Sequence, residues 1–588
     1  MQHTRKLGRR FVPILFCLLA LLLVACGGSP TQQTTTTTTS KVDASKQIFI
    51  WPLGGSTDLK TIDPGLSTDA GSINAIDLVF TGLVQLDDKL QVRDQLAASH
   101  SVSPDGLTYT FKLRPNLKFS DGTPLTSADV AYSINRALLP ELKSVVSPIY
   151  LALIKDSDKL NAGKIKTIIG DSILTPDPQT VVIITSQKAA YFLQALTYPC
   201  SYVIEKSMID KYGNSGFADH LSEGIGGDGP FKVSKYVRGK DIEFVPNPNY
   251  YGPQPQLKKI VIPFYQQVDT VYKAYQANEV DQSGIPTALL AGAKALPKGQ
   301  FHATPQLWIS YYAMNYLTKP FDNIKIRQAF ALAIDKDALA HNIHGDKVIP
   351  TNHIVPQGMP GYDADLTGPA GVKSTKGDAA LAKKLLQEGM QEAGYTTATF
   401  PPVTFTVSTS GSAETRNELS AVQQMWQNTL GISVKLNDIA YSNLLSDIPN
   451  SENNPKGLQM YSIGWIADYP DPQDWLTLQF DKGVPNDTMN YGQNQSSDAA
   501  QQQATQKLME QADATQDPTQ RMKMYNEAEQ QLVNDVAWIP TNQVTSTLVR
   551  KPCVVGMIDN AQSLIPPDDW TNTYISTDTP CANANQYQ

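Results

Sequence analysis

The sequence predicts an α/β protein built from more than one lobe, and three observations predict it. Short runs rich in β-branched and aromatic residues alternate with amphipathic helical runs along the chain. More than five hundred residues of ordinary globular composition follow a short polar tract, which is more than one hydrophobic core usually serves. One helical run passes through a single glycine directly into a strand, the connection expected inside an α/β unit.

The strands are read from composition. "TYTFKLR" (108–114), "TVVIITS" (180–186), "IEFVPN" (242–247), "KKIVIPFY" (258–265), "VTFTVSTS" (403–410), "ISVKLND" (432–438) and "LQMYSIGW" (458–465) carry side chains that pack well on a pleated surface. The helices are read from period. "GDAALAKKLLQEGMQEAG" sets Leu381, Leu385, Leu386 and Met390 on one face and ends at Gly394, a residue suited to a left-handed cap. "IKIRQAFALAIDKDALAHNI" (324–343) and "QRMKMYNEAEQQLVND" (520–535) keep the same spacing, and residues 421–430, Gly431 and 432–437 form the helix–glycine–strand unit. There is no internal repeat and no heptad array.

The N-terminus reads as an export signal. Arg5, Lys6, Arg9 and Arg10 precede an apolar run from Phe11 to Ala25 that is short for a membrane span. The run ends in "LVAC", which resembles a bacterial lipobox and makes Cys26 the expected first mature residue and lipid site. "GGSPTQQTTTTTTSK" then has too few apolar side chains to bury a core, so residues 26–46 are expected to be a flexible tether. Loss of the four basic signal residues takes the net charge from −8 to about −12. That acidity disfavours nucleic acid as a partner and modestly favours cationic ligands. Of the remaining cysteines, Cys553 and Cys581 are the expected pair, because one bond would staple the C-terminal tail. Cys200, in the apolar "LTYPCSYVI", is expected to be a small buried side chain.

The usual enzyme motifs are missing: there is no G-x-S-x-G elbow, Walker A loop or H-E-x-x-H helix. "GIGGDG" (224–229) matches G-x-G-x-x-G, but Pro230 and the strand-like "FKVSKYV" follow where a dinucleotide site needs a helix, so a tight turn is expected. His341, His344 and His353, with Asp346, could hold a metal, but no Cys and no second paired motif supports one, and neither metal nor cofactor is expected. An exported, multi-lobed chain without a catalytic constellation favours binding between lobes over turnover. One loop draws attention: "GWIADYPDPQDW" (464–475) holds Asp468, Asp471 and Asp474 between two indoles, and its prolines exclude regular structure. One carboxylate is expected at the mouth of a cleft to meet a cation; the bland alternative is solvated surface acid.

Several segments together resemble solute-binding family 5, the oligopeptide and dipeptide receptors of ABC importers. "SPDGLTYTFKLRPNLKFSDGTPLTSADVAYSINRAL" (103–138) is similar to its signature region, "GDGPFKVSKY" to its G-x-G-P turn, "SYYAMNYLTKPFDNIKIRQAFALAIDKDAL" to its inter-lobe segment, and "GWIADYPDPQDWL" to its cleft loop. The resemblance implies a two-lobed periplasmic-binding-protein-like clamp (type II, cluster C) with an extra inserted subdomain. Lobe I would comprise 47–84, 200–307 and 491–588, the inserted subdomain 85–199, and lobe II 308–490. It implies a peptide ligand whose α-ammonium meets Asp468, with Trp465 and Tyr311 in the cleft or packed in the core, and Asp471 and Asp474 as loop-shaping or surface residues. It also implies ABC permease subunits as partners, a monomer held at the outer face of the cytoplasmic membrane only by its lipid, and no enzymatic activity. Some members place a disulfide between the segments around Trp308 and Ile466, and this chain has no Cys at either. Oligosaccharide and nickel-chelate receptors of the same type, and an exported hydrolase, are the alternatives.

Overall fold

The structure, a computed structural model, describes residues 40–484 and 486–588. Cys26, the apolar run and most of the tether lie outside the described residues. Among the described residues no helix is long and apolar enough to cross a membrane.

Three larger sheets carry the fold of residues 41–588. A five-stranded sheet orders Ile48–Ile50, Lys259–Tyr265, Asp241–Pro246 and Phe231–Val237, with Leu53–Gly54 also pairing to Lys259–Tyr265. Its core joins Phe49, Phe244 and Ile260 to Ile76 and Val79 of the helix Ala70–Val79. A four-stranded antiparallel sheet orders Ala97–Val102, Thr108–Leu113, Thr180–Ile184 and Ile173–Asp177. Tyr109, Phe111 and Leu113 alternate inward there, as period-two geometry requires, and meet Val130 and Ile134 of the helix Ser127–Leu138.

A seven-stranded mixed sheet orders Gln282–Gly284, Ile539–Arg550, Phe301–Met314, Met460–Ile466, Val403–Val407 and Val434–Asp438, with Val348–Pro350 also on Ile539–Arg550. Val403–Val407 and Val434–Asp438 run parallel, joined by the helix Ala413–Leu430 and Gly431 at φ +72°, so the expected α/β unit forms. Both faces are covered. Ile309, Tyr311 and Ala313 point into one core, while Tyr312 and Met314 point into the other with Phe330, Phe405 and Trp426. The first of these cores joins Tyr311 and Tyr461 to Met509, Tyr525 and Trp538, so it spans the boundary expected at 490.

Most expected elements stand where composition and period put them: the helix Ala379–Ala393 buries Leu385 and Leu386 and ends at left-handed Gly394. The run 324–343 instead forms two helices, Ile324–Leu332 and Lys336–Asn342, because Asp335 caps a fresh start by accepting from the Ala338 amide at 2.9 Å. Cys553 and Cys581 are bonded and Cys200 is free and buried, as expected.

Candidate ligand-binding site

The acidic loop leaves the strand Met460–Ile466 and closes on one 3-10 turn, Pro472–Asp474. Asp471 shapes it. Its Oδ1 accepts from the Gln473 amide at 3.0 Å, and its two oxygens receive the Arg521 guanidinium at 2.7 and 2.5 Å. Both partners are buried, and a bidentate pair fixes orientation as well as distance, so the loop is tied to the helix Pro518–Asp535.

Asp474 is not surface acid; it is 0% exposed. The Pro470 and Pro472 turns fold the loop back, and Asp474 Oδ2 accepts from Trp465 Nε1 at 3.1 Å and from the Asp468 amide at 3.2 Å. Its Oδ1 has no partner. Burial, and then the charge of Asp468, hold Asp474 well above the usual carboxylate range. Burial also pushes Asp468 up to about 7, against a hydrogen bond from the Tyr150 hydroxyl. Two neighbouring buried acids do not ionise together cheaply, so the pair favours holding a proton.

Aromatic rings wall Asp468. Tyr150 stacks on Tyr198 with centroids 4.0 Å apart and meets Tyr469 edge-on at 6.1 Å. Tyr469 itself packs in the core of the four-stranded sheet, so the loop reaches across to that part of the fold. Beside Asp468 lies a cavity of about 130 Å³ lined by Asp69, Asp77, Tyr198, Tyr202, Ile466 and Asp468 among others, with no basic side chain among the described residues of its wall. Trp465 and Tyr311 do not line it. Trp465 serves instead to hold Asp474, and Tyr311 is a core residue, stacked on Trp538 at 3.6 Å because its strand position faces inward.

The strand that feeds the loop has a free edge. The Ala467 amide donates to the Leu307 carbonyl at 2.8 Å, so residues 463, 465 and 467 bond the strand Phe301–Met314. By alternation, the N–H and C=O groups of Gly464 and Ile466 point the other way. On that side Val403–Val407 reaches only Met460 and Tyr461. Trp308 and Ile466 sit opposite each other in register, 36% and 48% exposed, where some family members would carry a disulfide. Gly464 is required beneath the indole: a Cβ there would come 2.4 Å from Trp308 Nε1.

The other sequence candidates resolve into structure. In "GIGGDG", a Cβ at Gly227 would meet the Val79 carbonyl oxygen at 2.3 Å, and the Asp228 and Gly229 amides both donate to that oxygen. These glycines let the turn dock on the helix end. The histidines diverge to different acids: His341 to Asp346, His344 to Glu414 and Glu418, and His353 to Glu529. Burial alone would lower His344, but its two carboxylates hold it up at about 9. Sequence reasoning missed Tyr150, Tyr198, Asp69 and Asp77. Only Asp77 left a signal, as an acid inside the apolar "AIDLVF".

Residues 91–487 match the model of the bacterial extracellular solute-binding proteins, family 5. The chain is 26% identical over 508 residues to the oligopeptide-binding protein OppA of Bacillus subtilis, covering 85% of this chain and 89% of that one. It is 25% identical over 530 residues to the dipeptide-binding protein DppE of the same organism, covering 88% and 92%. The fold is that of the Escherichia coli murein tripeptide binding protein MppA, with TM-score 0.71, 23% identity and 92% and 100% of the two chains covered. Peptide-bound OppA of Listeria monocytogenes superposes with TM-score 0.68 at 23% identity, over 91% and 99%. The chain belongs to family 5 of the bacterial extracellular solute-binding proteins.

Proposed function

We propose that this protein is the receptor of an ABC importer: it captures peptides with a free N-terminus between two lobes and presents them to the permease subunits. The observation that carries the reading is a free strand edge, Gly464–Ile466, ending two residues before a half-buried carboxylate. An extended peptide adds to such an edge through its main chain, which leaves side-chain identity loosely read. Its α-ammonium then meets Asp468, whose proton leaves as the cation arrives, with Tyr150 and Tyr198 beside it. The relatives' names, oligopeptide- and dipeptide-binding proteins, support the ligand class.

One lobe is carried by the five-stranded sheet with the four-stranded subdomain inserted, the other by the seven-stranded sheet. The helices between 499 and 535 pack on the second. Cys26 carries a lipid that holds the receptor, as a monomer, to the outer face of the cytoplasmic membrane. Cys26→Ser should shift it from the detergent to the aqueous phase, and unchanged partitioning would rule the anchor out. Native mass spectrometry of the protein from residue 41 onward tests the ligand class. Co-purified species that fragment as peptides are expected; sugars or metal chelates in their place would overturn it.

A further inference from the structure

The cavity beside Asp468 continues past Asp77 into a second of about 40 Å³, and the two share Asp77, Leu86, Thr197, Tyr202, Gln562 and Leu564 as walls. Four buried acceptor oxygens on residues that line this space have no donor among the described residues: Asp69 Oδ2, Asp77 Oδ1, Gln85 Oε1 and Gln562 Oε1. Asp77 is 7% exposed on the helix Ala70–Val79, whereas Asp87 at the far end is already paired with Arg93 at 2.9 Å. Among the described residues no Lys, Arg or His lines either cavity. Burial pushes Asp77 up to about 7 despite the Tyr202 hydroxyl beside it.

An α-ammonium held on Asp468 uses its donors there, so these further acceptors call for a second donor group. They are all of one kind, lone pairs wanting N–H groups, and they come with negative charge and planar carboxyl and amide groups. The side chain that matches is a guanidinium, with five donors in a flat fork and a charge that persists on burial. A hydroxyl or amide brings too few donors and no charge, and an apolar side chain would leave the acceptors stranded.

We infer that this paired cavity is a specificity pocket for an arginine side chain at one of the first two positions of the bound peptide. The inference rests on the peptide reading above and adds a preference to it. Asp77 receives the guanidinium, with Gln85 and Gln562 as neutral acceptors and Asp69 on the near wall.

Citrulline tests it, since it keeps the shape of arginine and loses the charge. Calorimetric titration of the wild type at about pH 8, above the value of about 7 to which burial raises Asp77, would compare Arg-Ala-Ala and Ala-Arg-Ala with their citrulline counterparts. In one of the two pairs the arginine peptide should bind at least about tenfold more tightly. Asp77→Asn, nearly isosteric, should bring that ratio to within about twofold of unity. Equal affinity within both pairs, or a ratio untouched by Asp77→Asn, overturns the pocket while leaving the peptide reading intact. Failure of all four peptides to bind overturns the peptide reading, and the pocket with it.

Discussion

Asp468, Asp471 and Asp474 are three copies of one side chain within seven residues, and their surroundings give them three roles. Asp471 is neutralised by Arg521, Asp474 is buried with one oxygen unpaired, and Asp468 opens on the cavity. Asp468 and Asp474 both titrate above their unfolded values. Their contribution to stability is therefore full below about pH 4 and is lost as pH rises through the folded values, near 7 for Asp468. Asp474→Asn removes one acid of the pair. It should stabilise the empty protein by about 1–2 kcal/mol at pH 8 and change little at pH 4. Urea unfolding at the two pH values checks this, and an equal change at both would contradict it. Asp468, which the structure sets in the wall of the cavity, was legible as a candidate because the motif around it is specific. The burial of Asp474 was not, since it depends on how two prolines fold the loop back onto Trp465. Asp77 shows the same limit: its sequence context marked a buried acid, but the cavity it faces is built by residues from four distant segments.

At the scale of elements, the strand Met460–Ile466 was legible from its β-branched and aromatic residues, yet its free edge was not. That edge exists because the parallel neighbour stops after Tyr461, a register no local pattern encodes. The broken helix at 333–335 was readable in principle, since Asp335 is a good cap, but the apolar period runs on across it. The free edge makes a separable prediction. Ile466→Pro removes the outward N–H and spares the ladder to Phe301–Met314, which uses residues 465 and 467; Ile466→Ala, which keeps that N–H, controls for the side chain lost from the cavity wall. Peptide affinity should fall about tenfold, the worth of one good hydrogen bond in a desolvated site, while the thermal midpoint changes little. Trp465→Pro, which breaks the ladder, should unfold the region. Unchanged affinity in Ile466→Pro would show that the peptide does not add to this edge.

At the scale of the whole molecule, the α/β class and the multi-lobed organisation followed from length and alternation of elements. The packing of 499–538 with the seven-stranded sheet did not, because chain order does not say which of two cores a late helix will join. The clamp proposal requires the sheets to close on ligand, since a ligand touching both sides favours the closed population by its differential affinity. Small-angle scattering should show a smaller radius of gyration on addition of saturating peptide, and saturable binding without compaction would contradict the clamp. The central claim is that Asp468 anchors a peptide's α-ammonium, and calorimetry on a double cycle tests it most directly: wild type and Asp468→Ala, each titrated with a tripeptide and with its N-acetylated form. Removing either end of a buried charge-assisted contact should cost on the order of 2–5 kcal/mol, roughly thirtyfold or more in affinity. Acetylation should then matter far less to Asp468→Ala than to the wild type, because both changes delete one interaction. Additive losses, or full affinity of the wild type for the acetylated peptide, would mean that Asp468 is not the anchor.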